Sequence, residues 1–138
     1  MNKTVIAALA LGAVTFAGPA SAEKLKATLD GKSEVPPTTG SGTGTAELNY
    51  DAASKKLSWT VTYSGLSGPA TAAHFHGPAE AGKNAGVAVA IPNAAASPVK
   101  GEATLTDAQA ADLLGGKYYI NIHTAANPGG EIRGQVTK

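Results

Sequence analysis

The stretch "LSWTVTY", residues 57–63, decides how the chain is read. Leu57, Trp59, Val61 and Tyr63 alternate with Ser58, Thr60 and Thr62, which is the period of a strand buried on one face and wetted on the other. Helical spacing would scatter those four large side chains around a cylinder. Trp59 is therefore expected in a core. Upstream, Thr45 to Tyr50 reads as a partner strand, joined to Leu57–Tyr63 as a hairpin across "DAASKK".

Outward from that hairpin the same rhythm continues. Lys24 to Leu29 is expected to form a strand, followed by a long loop, Gly31 to Gly44, that carries Pro36, Pro37 and four glycines. Downstream, Val87, Val89 and Ile91 share one parity. Tyr118, Ile120 and Ile122 form one face of another strand, with Tyr119, Asn121 and His123 on the other, and Ile132 sits between Glu131 and Arg133 in a last strand. One helical signal interrupts the strands. "TDAQAADLLGG" offers Thr106 as N-cap, Gln109 three residues later to complete a capping box, and Gly115 or Gly116 as the stop. About eight short strands and one two-turn helix predict an all-β domain, a β-sandwich or flattened barrel.

The N-terminus reads differently. Lys3, an apolar run from Val5 to Phe16 broken only by Gly12 and Thr15, and the small-residue site Ala20-Ser21-Ala22 have the layout of a secretory signal peptide over residues 1–22. The apolar run is about a dozen residues, short of the roughly 20 that a spanning helix needs. A periplasmic or secreted protein is expected, with one domain over residues 23–138 and no membrane association once the leader is removed. Without Lys3, 10 basic residues face 10 acidic ones, so the processed chain has no cationic excess for nucleic acid or an anionic bilayer.

No cysteine is present, and Met1 is the single methionine. Thiolate nucleophiles, iron–sulfur clusters and sulfur-ligated metals are thereby excluded, and stability must come from packing. The "GSGTGTAEL" glycines lead into a strand and lack the helix N-terminus that holds a phosphate. No nucleophile elbow and no distinct pair of carboxylates is visible, so the expectation is a binding protein and not an enzyme.

Histidine use is the remaining signal. Of three histidines, His74 and His76 lie in "TAAHFHGP" and His123 in "INIHTAANPGGEIRGQ". On a strand, positions i and i+2 share a face about 6.6–6.8 Å apart, so the first pair project together while Phe75 turns to the core. Gly77-Pro78 then ends the strand and puts the pair at a rim. If the His123 strand is a neighbour, three imidazoles converge, a donor set that suits copper, or less well zinc. Glu131 is a candidate oxygen ligand or acceptor for a ring N–H, and Arg133 a candidate charge partner for Glu131. Tyr118 and Tyr119 are expected to be packing residues.

The segments "SEVPPTTGSGTGTAEL", "LSWTVTYSGLSG", "AHFHGPAEAGKNAGV" and "SPVKGEATLTDAQAADLLGGKYYINIHTAANPGGEIRGQV" resemble the CHRD domain, the chordin-type module found in exported bacterial proteins. The resemblance covers essentially all of residues 23–138 and implies an immunoglobulin-like or barrel-like all-β fold. Its motif positions fall on His74, His76, Gly77, Asn121, His123, Asn127, Pro128, Gly130, Glu131 and Arg133. Phe75 stands where the family usually carries an aliphatic residue. A more distant similarity to copper–zinc superoxide dismutase lacks that family's further histidines and its disulfide, so a bridged dimetal site is not expected. Two functions follow as expectations. One is a mononuclear copper-binding or copper-delivery protein using His74, His76 and His123; the other is a structural or protein-interaction module of the cell envelope, partnered by another envelope protein and holding no metal.

Overall fold

A computed structural model describes Gly12 and residues 22–138; the expected signal peptide, residues 1–22, lies outside the described residues but for Gly12 and Ala22. Eight strands follow in chain order: β1 (Glu23–Asp30), β2 (Thr43–Asp51), β3 (Lys56–Ser64), β4 (Ala70–His76), β5 (Val87–Ile91), β6 (Val99–Thr104), β7 (Tyr119–Thr124) and β8 (Ile132–Gln135). A helix, α1 (Asp107–Leu114), stands between β6 and β7. All pairings are antiparallel, and the spatial order is β5-β4-β7-β8-β1-β2-β3-β6. The eight strands form one continuous sheet that curls into a nearly closed barrel.

The alternation read from residues 57–63 is what closes it. In β3, Leu57, Trp59 and Val61 are buried while Ser58 and Thr60 are half-buried on the opposite face. The facing strand β2 repeats the pattern strictly, with Gly44, Ala46, Leu48 and Tyr50 turned inward. Register pairs Leu48 with Trp59 and Tyr50 with Leu57, so a single parity choice in the hairpin commits both strands to the same interior. Across the barrel, Phe75 of β4 meets Trp59 edge-on at 5.2 Å between ring centroids, and Tyr118 lies 6.5 Å from Phe75. Burial pushes the Tyr118 phenol up to about 12.

The edge strands β5 and β6 do not pair with each other, and α1 follows β6 in the chain. Its N-cap forms as the sequence dictates: Thr106 Oγ1 accepts from the Gln109 amide, and the Gln109 side chain accepts from the Thr106 amide. Gln109 Nε2 also donates to Ala88 O of β5, while Ala110 and Leu113 enter the core. Tyr63 at the end of β3 donates to Ala94 O in the β5–β6 connection.

One strand breaks the simple inside–outside rule. Every residue of β7, Tyr119 to Thr124, is buried, so its outward face is covered too. The cover comes from three connections: residues 31–42, residues 77–86 and the turn 125–131. Beneath that cover the histidines gather.

Phe75 is fully buried and touches Trp59 and Tyr118 at the barrel's centre. Phe75→Ala is expected to cost about 3–5 kcal/mol, the usual range for a core aromatic. Urea unfolding monitored by Trp59 fluorescence measures it, and a loss under about 1 kcal/mol would contradict this packing.

Candidate metal centre

Strands β4 and β7 are neighbours, with His74 opposite Asn121, His76 opposite Tyr119 and Ala72 opposite His123. Because Phe75, Ile120 and Ile122 point inward, His74, His76, Tyr119, Asn121 and His123 all lie on the outer face of this strand pair. All three histidines therefore meet, the convergence that the sequence left conditional on this strand pairing. Their ligand nitrogens lie within 4.8 Å of one another, and His74 Nδ1 is 3.0 Å from His123 Nε2. They are less open than a rim position implies: His76 and His123 are buried and His74 is half-buried.

Tautomers follow from the acceptors around the rings. His76 Nδ1 is 2.9 Å from Ala85 O, and His123 Nδ1 is 2.9 Å from Pro128 O. A carbonyl oxygen only accepts, so both Nδ1 atoms carry hydrogen and both Nε2 atoms keep a lone pair in the neutral rings. His74 Nδ1 then donates to His123 Nε2. His76 Nε2 is buried with no hydrogen-bond partner. Leaving such an acceptor unmade costs about 1–3 kcal/mol.

The ring of His76 is clamped further. It stacks on Tyr119 with centroids 4.8 Å apart and planes 3° from parallel, and the Arg133 guanidinium lies 3.9 Å from the centroid of the Tyr119 ring. Tyr119 Oη also donates to Ala85 O and accepts from Ala85 N, fixing the same peptide that orients His76. Tyr119 is thus a packing residue, as expected, and also a hydrogen-bonding one.

Glu131 and Arg133 depart from expectation. They do not pair with each other, and Glu131 is not among the grouped ligands. The buried Glu131 carboxylate accepts from the Ser67 amide and hydroxyl, Thr124 Oγ1 and Asn127 Nδ2. Burial alone would push its carboxyl up, but these hydrogen bonds outweigh burial and hold it below the usual value. Neither does Glu131 take a ring N–H, since Ala85 O and Pro128 O fill that role. It pins the 125–131 turn, and so places Pro128 O under His123. Arg133 instead pairs with Glu34 at 3.1 Å in a buried contact and donates to Lys83 O and Asn84 Oδ1.

Glu34 was not foreseen. It lies in the connection after β1, and 99 residues separate it from Arg133. Burial is the main influence on its carboxyl and raises it, against the pull of Arg133 and Asn121. Gly130, at φ +123°, lets this layer close: a Cβ there would come within 2.5 Å of both Asn121 Nδ2 and Glu34 Oε1. Asn121 was placed on the right face by its parity with His123, but no role was attached to it.

A family model for the CHRD domain matches residues 25–136. The chain belongs to the CHRD domain family. CHRD domains occur in extracellular proteins. No curated protein and no solved structure gives a significant match. Among the described residues no helix is long and apolar enough to cross a membrane. The match spans both neighbouring strands that carry the histidines, β4 and β7, and the 125–131 turn that supplies Pro128 O.

Both His74 and His76 are held below the ordinary imidazole value, chiefly by burial; neighbouring imidazoles add to it at His74, while Ala85 O and Asn121 partly offset it at His76. Their unfolded counterparts therefore take up protons first as the pH falls. Stability of the metal-free protein is expected to be intact above about pH 6.5 and to decline below it. Glu34, raised by burial, acts in the opposite sense at lower pH, so a variant isolates the histidine contribution. Urea midpoints at pH 7.5 and 6.0 should fall for the parent and fall less for His76→Gln; equal falls would contradict the assignment.

Proposed function

We propose that this CHRD domain binds one copper ion, in preference to zinc, through His74, His76 and His123, and that its role is copper binding or delivery without turnover. The observation that carries the reading is the grouping of one ligand nitrogen from each of His74, His76 and His123 within 4.8 Å, with His76 Nε2 buried and unpartnered. Three neutral imidazoles with backbone carbonyls behind two of them are the usual preparation of a metal site: the carbonyl fixes the tautomer and raises the basicity of the free nitrogen. Nitrogen donors without thiolate or thioether suit Cu(II) over Cu(I), and among divalent ions copper binds such a set most tightly. In the metal-free arrangement a proton on His74 Nδ1 bridges to His123. Ligation through His74 Nδ1 would require its hydrogen to move to Nε2 of the same ring, and half-buried His74 is the ring that can make that exchange through solvent. Two nitrogens bonded to one ion at about 2.0–2.1 Å lie at most about 4.2 Å apart, so the 4.8 Å envelope tightens on loading.

The sequence of residues 1–22 supports export, which would place the site in the periplasm or outside the cell. A second reading, an envelope module that contacts another protein and uses these histidines only as struts for the covering loops, rests on the carbonyl contacts of His76 and His123.

Calorimetric titration of the purified protein with Cu(II) and with Zn(II) separates the two. One Cu(II) per chain is expected, bound more tightly than Zn(II). His76→Ala and His123→Ala should each weaken it by roughly 100-fold or more, past the 10–100-fold typical of losing an outer partner. Affinity should fall below about pH 6.5. Variants that lose stability yet bind copper like the parent would instead favour the strut reading.

A further inference from the structure

His76 Nε2 is not alone in lacking a partner. Asn121 Oδ1, within reach of the same ring, is also shut off from solvent without a hydrogen bond. The orientation of the Asn121 amide follows from its other end. Nδ2 donates to Gly129 O at 3.4 Å and lies beside the Glu34 carboxylate, sharing with Glu34 Oε1 the space above Gly130. Its oxygen is therefore the atom turned to His76. The His76 ring, in turn, presents a lone pair because Nδ1–H is spent on Ala85 O.

Two acceptors thus face one enclosed space, and neither can satisfy the other. Only a positive centre between them, a proton or a metal ion, resolves the conflict. A bridging water would need room and further partners, yet a water-sized probe reaches neither atom. An ion bonded to both needs no such room.

We infer that Asn121 Oδ1 is the fourth donor of the centre formed by His74, His76 and His123, giving a three-nitrogen, one-oxygen set for Cu(II). The inference rests on the copper reading above. Sequence alternation alone puts Asn121 on this face, directly opposite His74 on the neighbouring strand. The other three donors are neutral imidazoles and the amide is neutral, so the ion keeps its full charge. The Glu34 carboxylate beside the amide nitrogen, already paired with Arg133, adds no net charge but lies where it polarises the Asn121 carbonyl toward the ion. The buried pairing of Glu34 with Arg133 then holds the amide's orientation and not merely the loop.

Asn121→Leu removes the oxygen while keeping the branched heavy-atom shape, and Asn121→Asp retains an oxygen in a charged form. Cu(II) titration and the Cu(II) electron paramagnetic resonance spectrum are recorded for the parent and both variants of the full purified protein. The Leu variant is expected to bind about 10–100-fold more weakly with altered parallel g and hyperfine values, and the Asp variant at least as tightly as the parent with a shifted spectrum. Parent-like affinity and an unchanged spectrum in the Leu variant would overturn the assignment while leaving the three-histidine site intact. Should the Leu variant fail to fold, an unchanged spectrum in the Asp variant overturns it equally. A parent that takes up no copper overturns both this inference and the copper reading, which distinguishes the two failures.

Discussion

Two hydrogen bonds from imidazole to backbone organise the outer face of this barrel: His76 to Ala85 O and His123 to Pro128 O. Each fixes a ring's tautomer and rotation, and together they leave two Nε2 lone pairs converging on the nitrogen of His74. A side chain on a strand ordinarily swings between rotamers in water. Here the carbonyl on one side and Tyr119 stacked on the other leave His76 a single orientation. The chemistry of the site follows from that restriction, since a ligand set is only as good as the shell that holds it.

The two carbonyls lie in loops, and much of the chain's polar chemistry serves to hold those loops down. Glu131 gathers Ser67, Thr124 and Asn127 about one buried carboxylate and so sets the turn that contains Pro128. Arg133 ties residues 83 and 84 to Glu34 and lies against the Tyr119 ring. Three connections are thereby stapled over one strand, which is why β7 is buried on both faces while β1 and β2 alternate. A buried ion pair adds little net stability in general. Its contribution here is to specify where loops rest over the histidines.

The barrel was legible because it rests on period-two alternation: Leu57, Trp59 and Val61, and likewise Tyr118, Ile120 and Ile122, are inward residues whose parity alone settles their direction. The capping box of α1 was legible because its geometry is local. The histidine cluster was half-legible. Parity put His74 with His76 and His123 with Asn121, but the adjacency of β4 and β7 is a long-range pairing that no local pattern encodes. Glu131 and Arg133 were misread because their closeness in sequence suggested each other as partners, whereas Ser67 and Glu34 lie at distances of 64 and 99 residues. Loop fold-back of that kind is decided by burial and hydrogen-bond satisfaction across the whole molecule, so Glu34 carried no mark in a Pro- and Gly-rich segment.

The site depends on which ring nitrogens bear hydrogen, and long-range 1H–15N correlation spectra of the metal-free protein at pH 7.5 report that directly. His76 and His123 are predicted to show protonated Nδ1 and unprotonated Nε2. A spectrum with hydrogen on Nε2 of either ring would mean that the carbonyl contacts do not govern the tautomers, and the converging lone pairs on which the site depends would not exist.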